Sequence, residues 1–328
     1  MKDWLRRREG DLMVVVSGGA GFIGRHLVRA LLRKNECVTV VDNFCTSSDA
    51  GFMGEFRDAL SGHRLKVLVE DVTKVRPCSY FDGADVVYHL ASPASPGDYV
   101  RLPLETLRAG SAGTERMAEI AHANGARLVF ASTSEVYGDP EVHPQVEDYC
   151  GSVNPIGPRA MYDEAKRFGE AMMSTWVRHR GLDARIARLF NCYGPGMRAD
   201  DGRAVPSFIT QALTERPLTV YGTGLQTRSF CYVDDTVRAL LALGFKEGPG
   251  MGPFNVGNPE EVTILRLAKL VRALACSGSG IEKCPAPEED PRRRCPGITA
   301  VTGAFGWRPT VSLRDGLAKT IEWFKEKK

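Results

Sequence analysis

The stretch MVVVSGGAGFIGRHLVRALL, residues 13–32, runs from an apolar segment through a glycine-rich turn into a helical pattern. Met13–Val16 is apolar and rich in β-branched valine, which is typical of a strand buried on both faces. Apolar residues then recur at helical spacing across Ile23–Leu32. A buried strand that leads through glycines into a helix predicts the first unit of a doubly wound, mostly parallel α/β sheet.

The same alternation of strands and helices continues through the first half of the chain. Helical spacing covers Leu104–Ala123 and Tyr162–Val177. Because crossovers between parallel strands are right-handed, this rhythm predicts helices on both faces of the sheet. The further predicted strands are Cys37–Val41, Lys66–Val69, Val86–Leu90, Leu128–Ala131 and Ala184–Ala187.

The glycines of the turn, Gly18, Gly21 and Gly24, form a GxxGxxG pattern at the end of the first strand. Such a turn lets a pyrophosphate approach the backbone at the start of a helix, where N–H groups bind phosphate. Asp42 ends the second strand, where a carboxylate can accept hydrogen bonds from an adenosine ribose. That carboxylate repels a 2′-phosphate, and residues 43–48 contain no basic side chain. The sequence therefore predicts NAD rather than NADP.

The rhythm of strands and helices breaks after Leu189, where glycine and proline become frequent. We therefore expect a smaller C-terminal lobe, and a chain of 328 residues has room for one. The predicted division is a flexible N-terminal segment at 1–11, an NAD-binding domain at 12–189 and a mainly substrate-binding lobe at 190–328. Segments of the lobe are expected to return to the first domain.

Composition argues against several other classes of protein. The chain is 43% hydrophobic and 25% charged, and its net charge of +3 is too small to indicate nucleic acid as a partner. No apolar stretch has the length of a signal peptide core or a membrane span. The nine cysteines contain no CxxC pair, which favours reduced thiols in the cytoplasm over a disulfide framework or a zinc site. We therefore expect no metal.

The segment YDEAK, residues 162–166, places Tyr162 and Lys166 on one face of a helix. A phenol with a pKa of about 10 is only about 0.1% ionised at neutral pH. A nearby lysine and a bound nicotinamide cation favour the phenolate, so Tyr162 is predicted to be a general base or acid. Thr133 and Glu135 follow the fifth strand, at the edge where such sheets bind ligands. They are candidates to hydrogen-bond the reacting hydroxyl and to position a proton.

Seven motifs occur together between residues 18 and 230, and the similarity to one family that they indicate runs over nearly the whole chain, from about Met13 to Phe324. They are GGAGFIG (18–24), VVDNF (40–44), HLASPASP (89–96), STSEVYGDPEVHP (132–144), YDEAK (162–166), RLFNCYGP (188–195) and QTRSF (226–230). This set resembles the UDP-glucuronate decarboxylases, which make UDP-xylose and belong to the extended short-chain dehydrogenase/reductase family with its Rossmann-like fold. Nucleotide-sugar 4-epimerases and 4,6-dehydratases are related to them.

The resemblance implies a closed redox cycle. Tyr162 removes the proton of the sugar O4 while the C4 hydride passes to NAD⁺. The resulting 4-ketone lies β to the C6 carboxylate, so carbon dioxide leaves and its electron pair enters an enolate. Protonation at C5 and return of the hydride complete the turnover. The resemblance assigns this chemistry to Thr133, Glu135, Tyr162, Lys166 and Arg228.

The resemblance also implies which residues bind the cofactor and the substrate. The expected partner is a UDP-sugar bound by a homodimer, with no nucleic acid and no membrane, and arginines suit its carboxylate or phosphates. The expected NAD contacts are Gly18, Gly21, Phe22, Ile23, Gly24, Asp42, Asn43, Phe44, Asp71, Val72, Leu90, Ala91, Tyr162 and Lys166. The expected substrate contacts are Ser92, Tyr99, Glu135, Asn191, Arg203, Tyr221, Arg228 and Arg294.

Single positions bear on the related activities. Dehydratases place Asp-Glu after the catalytic Thr, whereas this chain has Ser134-Glu135, and a Ser hydroxyl is too weak an acid to protonate a leaving hydroxyl. Gly110 and Gly196 stand where the family usually has Asn and Arg. A 4-epimerase, an oxidative decarboxylase that releases a 4-keto-pentose and a non-catalytic NAD-binding regulator remain as alternatives.

Overall fold

A computed structural model describes residues 11–286 and 291–327, and a parallel sheet lies at its centre. The flexible segment predicted at 1–11 lies, apart from Asp11, outside the described residues. In chain order the strands are β1 (Met13–Ser17), β2 (Cys37–Asp42), β3 (Leu65–Val69), β4 (Val86–His89), β5 (Arg127–Thr133), β6 (Ala184–Leu189), β7 (Cys192–Tyr193), β8 (Leu218–Tyr221), β9 (Thr227–Ser229), β10 (Cys231–Tyr232), β11 (Phe254–Val256), β12 (Glu261–Thr263), β13 (Ile281–Cys284) and β14 (Arg293–Arg294).

Seven of these strands form the central sheet in the order β11-β6-β5-β4-β1-β2-β3, and all six neighbouring pairs are parallel. The chain reverses its direction of winding between β1 and β4, which is where open α/β sheets bind ligands. The later strands make three small sheets, β10-β7, β12-β9-β14 and β13-β8. Only β11, from the C-terminal part, returns to the central sheet among the described strands.

Helices cover both faces of the central sheet. They are α1 (Phe22–Arg33), α2 (Asp49–Glu55), α3 (Arg57–Ser61), α4 (Pro96–Arg101), α5 (Pro103–Arg108), α6 (Thr114–Asn124), α7 (Ala160–Arg180), α8 (Ala204–Leu213), α9 (Val233–Phe245), α10 (Ile264–Ala275), α11 (Thr299–Phe305) and α12 (Leu313–Glu326). The predicted doubly wound α/β fold is confirmed. Within the described residues, none of these helices is long and apolar enough to cross a membrane.

Strand β1 explains why both faces are covered. Successive side chains of a strand point to opposite faces, and every residue of β1 is buried. Val14 and Val16 join the core cluster that contains Leu27 of α1, whereas Val15 joins the cluster that contains Met117 of α6. A strand that is apolar at every position therefore requires a helical layer on each side.

The helix predicted at 104–123 is present, and it contains a π-helical turn that the sequence did not predict. Helix α5 ends at Arg108, a π-helical turn occupies Ala109–Gly113, and α6 begins at Thr114. A Cβ atom on Gly110 would lie 2.7 Å from both the Cβ and the carbonyl oxygen of Ala165 in α7. The π-turn therefore passes directly against the helix that carries Tyr162 and Lys166, a contact that helical periodicity does not encode.

Replacement of Gly110 by the family's usual Asn is expected to destabilise this chain by about 1–3 kcal/mol, because the new side chain overlaps Ala165. Urea unfolding of Gly110→Asn against wild type measures the difference. Gly54→Asn is the matched control, since a Cβ on Gly54 of α2 meets nothing within 4 Å. Equal stability of Gly110→Asn and wild type would mean that the π-turn moves away from α7 without loss.

Candidate active site

A cleft of about 1500 Å³ opens along the carboxyl ends of the central strands. Its walls are the glycine turn at 18–24, the ends of β4, β5 and β6, the start of α7 and the segment at 196–211. Ligand pockets for one small molecule usually measure about 300–1,000 Å³. The cleft therefore has room for a dinucleotide together with a second ligand.

Most of the predicted site residues line this one cleft. Those that do are Gly18, Gly21, Phe22, Ile23, Gly24, Leu90, Ser92, Tyr99, Thr133, Glu135, Tyr162, Lys166, Asn191, Arg203, Tyr221, Arg228 and Arg294. Those that lie outside its lining are Asp42, Asn43, Phe44, Asp71, Val72 and Ala91. Residues from both halves of the sequence thus meet around a single space.

Asp42 does not line the cleft, but it stabilises the glycine turn through hydrogen bonds. Its carboxylate accepts hydrogen bonds from the backbone N–H of Ala20 at 2.9 Å and of Phe44 at 2.8 Å. Burial raises the pKa of Asp42 above its ordinary value, although both backbone N–H groups favour the charged form. The Asn43 amide donates to the Asp71 carboxylate at 3.1 Å. These predicted cofactor contacts form a polar group beside the turn.

The glycine turn fits the pyrophosphate of a dinucleotide. Gly18 has a φ of +73°, and a Cβ on it would lie 2.6 Å from the backbone nitrogen of Ala91. A Cβ on Gly24 would lie 2.1 Å from the Gly18 carbonyl oxygen, so α1 packs on the turn only with glycine there. Among the described residues no side chain caps α1, which begins after Gly21. Its first N–H groups are therefore available to bind an anion such as a phosphate.

Tyr162 and Lys166 are both buried in the first turns of α7. The Lys166 ammonium donates to the carbonyl of Ala131 at 2.8 Å and lies 6.0 Å from the centre of the Tyr162 ring. Burial lowers the pKa of Lys166 to about 8, so the side chain stays mostly charged at neutral pH. Burial also raises the pKa of Tyr162, and a hydrogen bond with Thr133 opposes that rise only in part. In the protein without its cofactor, burial therefore raises the pKa of Tyr162, whereas the sequence predicted that Lys166 would lower it.

Glu135 is the centre of a cluster of ion pairs. Its carboxylate pairs with Arg159 and, at 2.5 Å, with Nη1 of Arg294, whose side chain is only 2% exposed. Burial acts to raise the pKa of Glu135, but the guanidinium groups of Arg294, Arg159 and Arg228 together hold it below its usual value. Glu135 is therefore ionised at neutral pH and suited to accept a proton or a hydrogen bond rather than to donate one.

Sequence reasoning missed two groups in this cluster, Arg159 and Asp163. Asp163 follows Tyr162 directly, and its Oδ1 has no hydrogen-bond partner among the described residues. Burial and the charge of Glu135 raise the pKa of Asp163 to about 7, although Arg159 opposes the rise. Asp163 lies within YDEAK, but its helix position is not on the face of Tyr162 and Lys166. Only its burial beside Glu135 distinguishes it.

Asp163→Asn is expected to stabilise the protein above neutral pH. Because the folded pKa of about 7 lies above the ordinary 3.8, the folded state disfavours the carboxylate, and wild-type stability falls as the pH rises from about 4 to about 7. The variant lacks this penalty, so its advantage in unfolding free energy should reach on the order of 2–4 kcal/mol at pH 8. Urea unfolding of the variant and of wild type between about pH 5 and pH 8, the range in which proteins are usually most stable, measures this difference.

The matched control is Glu164→Gln, a change on the same turn at a side chain that is 35% exposed. Water still solvates that carboxylate, so no gain of this size is expected. An Asp163→Asn advantage that stays constant with pH would contradict the raised pKa.

Arg198 spans the side of the cleft. It donates to both oxygens of Asp98, at 3.1 and 3.0 Å, and to the carbonyl of Thr46 at 2.6 Å. These bonds join the segment after β7 to α4 and to the loop after β2. Arg198, which also lines the cleft, is thus held by hydrogen bonds to protein groups.

The chain matches the model of the NAD dependent epimerase/dehydratase family over residues 14–257. It is 47% identical to UDP-glucuronic acid decarboxylase 1 of Danio rerio, over 95% of this chain and 72% of that protein. It is also 47% identical to UDP-glucuronic acid decarboxylase 2 of Arabidopsis thaliana, over 98% of this chain and 70% of that protein.

Solved structures of nucleotide-sugar enzymes have the same fold. A UDP-glucuronic acid 4-epimerase from Bacillus cereus, in complex with UDP-glucuronic acid and NAD, superposes with a TM-score of 0.86 at 27% identity, over 97% of this chain and all of that one. A UDP-glucose 4-epimerase from Thermotoga maritima with UDP-glucose superposes with a TM-score of 0.85 at 27% identity, over 96% and 99% of the two chains.

Proposed function

The chain belongs to the NAD dependent epimerase/dehydratase family, and we propose that it is a carboxy-lyase that converts UDP-glucuronate to UDP-xylose through a 4-keto intermediate. Its cofactor is NAD. The observation that carries the proposal is the 47% identity to UDP-glucuronic acid decarboxylases over almost the whole chain. The 4-epimerases of similar fold are only 27% identical.

The charge of the cleft supports an anionic substrate. Arg228 and Arg294 both line it near Glu135, and guanidinium groups bind carboxylates and phosphates with directed hydrogen bonds. Ser134 is buried and accepts a hydrogen bond from Arg294 at 3.1 Å. The residue that would be the dehydratase acid is therefore a support for an arginine in this chain.

The proposed mechanism assigns a proton or a charge to each residue. NAD, when bound, supplies the hydride acceptor and donor and a positive charge at the nicotinamide ring. Tyr162 takes the proton of the sugar O4, with Thr133 hydrogen-bonded to it and Lys166 charged nearby. Once C4 is a ketone, the C5–C6 bond breaks, its electron pair enters an enolate, and carbon dioxide leaves. Glu135, held ionised by its arginines, orients the sugar and the water that delivers a proton to C5.

The roles of the other predicted binding residues are proposals on the same basis. The glycine turn and Asp42 hold the dinucleotide, while Tyr99 and Arg203 flank the sugar nucleotide. Tyr99 supports this role because its ring stacks on Tyr162, with centroids 5.1 Å apart and planes 13° from parallel. The Tyr99 ring therefore covers one face of the ring of the proposed base.

The test is incubation of the purified protein with UDP-glucuronate and substoichiometric NAD⁺, with carbon dioxide and the nucleotide product followed together. Many turnovers to UDP-xylose are expected, because the hydride returns in each cycle. Carbon dioxide with stoichiometric NADH and a keto-sugar would identify an oxidative decarboxylase. No carbon dioxide, with the C4 epimer of UDP-glucuronate as product, would identify a 4-epimerase.

We also propose that the enzyme is a cytoplasmic homodimer that binds no nucleic acid. Leu104 (57% exposed) and Leu107 (39%) of α5 and Phe168 (51%) of α7 are exposed apolar side chains on two helices that pack against each other, and we propose that they form the dimer interface. The described cysteines are all free, which supports a reducing compartment. Sedimentation tests the dimer, and a monomer at working concentration would contradict it.

A further inference from the structure

A cluster of side chains of the types that can bind metal ions lies outside the cleft. Nε2 of His143 lies 3.2 Å from a carboxylate oxygen of Glu261, and the thiol of Cys295 completes a group whose donor atoms are all within 4.8 Å of one another. None of the three is among the residues that line the cleft. The cluster is therefore separate from the proposed chemistry.

The three donors come from segments that the fold holds together. Gln145, two residues after His143, accepts from the Gly297 backbone N–H at 2.7 Å, and its side chain accepts from the backbone N–H of Cys295 at 2.7 Å. Glu261 lies in β12, which pairs with β9, and it accepts a hydrogen bond from the Thr227 hydroxyl. The loop before α7, β12 and the residue after β14 are thus fixed relative to one another before any ion binds.

The donor set matches one class of ion. Imidazole nitrogen, carboxylate oxygen and thiolate sulfur are the ligands of zinc, whereas magnesium and calcium prefer oxygen alone. Donors lie about 2.0–2.3 Å from a zinc ion. Atoms already within 4.8 Å of one another need only small side-chain rotations to share it.

We propose that His143, Glu261 and Cys295 bind one Zn²⁺ ion, with a water molecule as the fourth ligand. The thiol gives up its proton to solvent, so a thiolate and a carboxylate balance the two charges of the ion. Solvent has access for the water because the side chains of His143 and Glu261 are 25% and 22% exposed.

The ion cross-links the β12-β9-β14 sheet and the loop at 139–147. Strand β9 carries Arg228 and β14 carries Arg294, so this sheet presents both arginines to the cleft. An ion that joins β12, the end of β14 and the loop at 139–147 stabilises that arrangement. Because zinc binds the folded chain and not the separated segments, it should raise the unfolding temperature by several degrees.

The experiment is a Co²⁺ titration of the full-length protein after removal of metals with a chelator. One equivalent of Co²⁺ should produce thiolate-to-cobalt absorption in the near ultraviolet and d–d bands in the visible, and Zn²⁺ should abolish both by displacement. Cys295→Ser should lose the near-ultraviolet band, and His143→Gln should weaken Co²⁺ binding at least tenfold. Zinc should raise the unfolding temperature of wild type but of neither variant.

Cys78→Ser is the matched control, since Cys78 is an exposed thiol outside the cluster, and it should keep both the absorption and the zinc-dependent shift. His143→Gln changes an exposed residue, so it tests the site even where Cys295→Ser fails to fold. No near-ultraviolet band in wild type, or the same band in Cys295→Ser, would overturn the proposal. Metal binding is read without turnover, so its failure leaves the proposed function untouched.

Discussion

Tyr162→Phe is expected to lower kcat for decarboxylation by about 10²–10⁴-fold, the usual contribution of a positioned general base or acid. The substitution removes one hydroxyl and leaves the ring that stacks on Tyr99. The fold and NAD binding should therefore persist, so that the loss falls on kcat and not on KM. Steady-state rates of carbon dioxide release measure kcat and KM, and circular dichroism of the same samples shows whether the fold persists.

Tyr80→Phe is the control for Tyr162→Phe, because it removes the same atom from a side chain that is exposed and outside the cleft. Its kcat should equal that of wild type. A Tyr162→Phe enzyme with wild-type kcat would refute the proposed role of Tyr162, even if carbon dioxide and UDP-xylose are the products.

Glu135→Gln is expected to lower both activity and stability. The neutral amide no longer compensates Arg294, whose side chain is 2% exposed, and an uncompensated buried charge costs about 3 kcal/mol of unfolding free energy. The loss of an ionised acceptor beside the sugar should lower kcat by about 10²-fold or more. Urea unfolding and carbon dioxide release, compared with wild type, measure the two effects.

The double variant Glu135→Gln/Arg294→Met separates the two effects of the Glu135 substitution. Removal of both members of a buried ion pair is often neutral for stability, so the double variant should recover most of the lost unfolding free energy. Activity should stay low, because neither the carboxylate nor the arginine is present. Activity that returns together with stability would mean that neither side chain takes part in the chemistry, and that Glu135→Gln lowers activity only through the uncompensated charge of Arg294.

Local patterns in the sequence were sufficient to predict the first strand, the glycine turn and α1. A fully apolar strand, glycines at three-residue intervals and helical spacing are each encoded by near neighbours, and the structure has β1 and α1 within a residue or two of their predicted bounds. The helical turn from Tyr162 to Lys166 was predictable for the same reason, since i and i+4 share a face of any helix. The helix predicted at 104–123 is present, but its π-helical turn at Ala109–Gly113, where Gly110 packs against Ala165 of α7, was not predictable from helical spacing.

The sequence by itself determined the fold class, the dinucleotide turn and the residue types of the chemistry, because these depend on spacings of a few residues. Only the tertiary structure decided which charges meet. Arg294 pairs with Glu135 across 159 residues, and the burial that results sets the pKa of Asp163 beside them. His143 comes within reach of Cys295, although no histidine is near that cysteine in the sequence. Such pairings depend on how the small sheets pack on the central sheet. The pKa of each buried group therefore depends on the tertiary structure, because the same packing sets both its burial and its ion pairs.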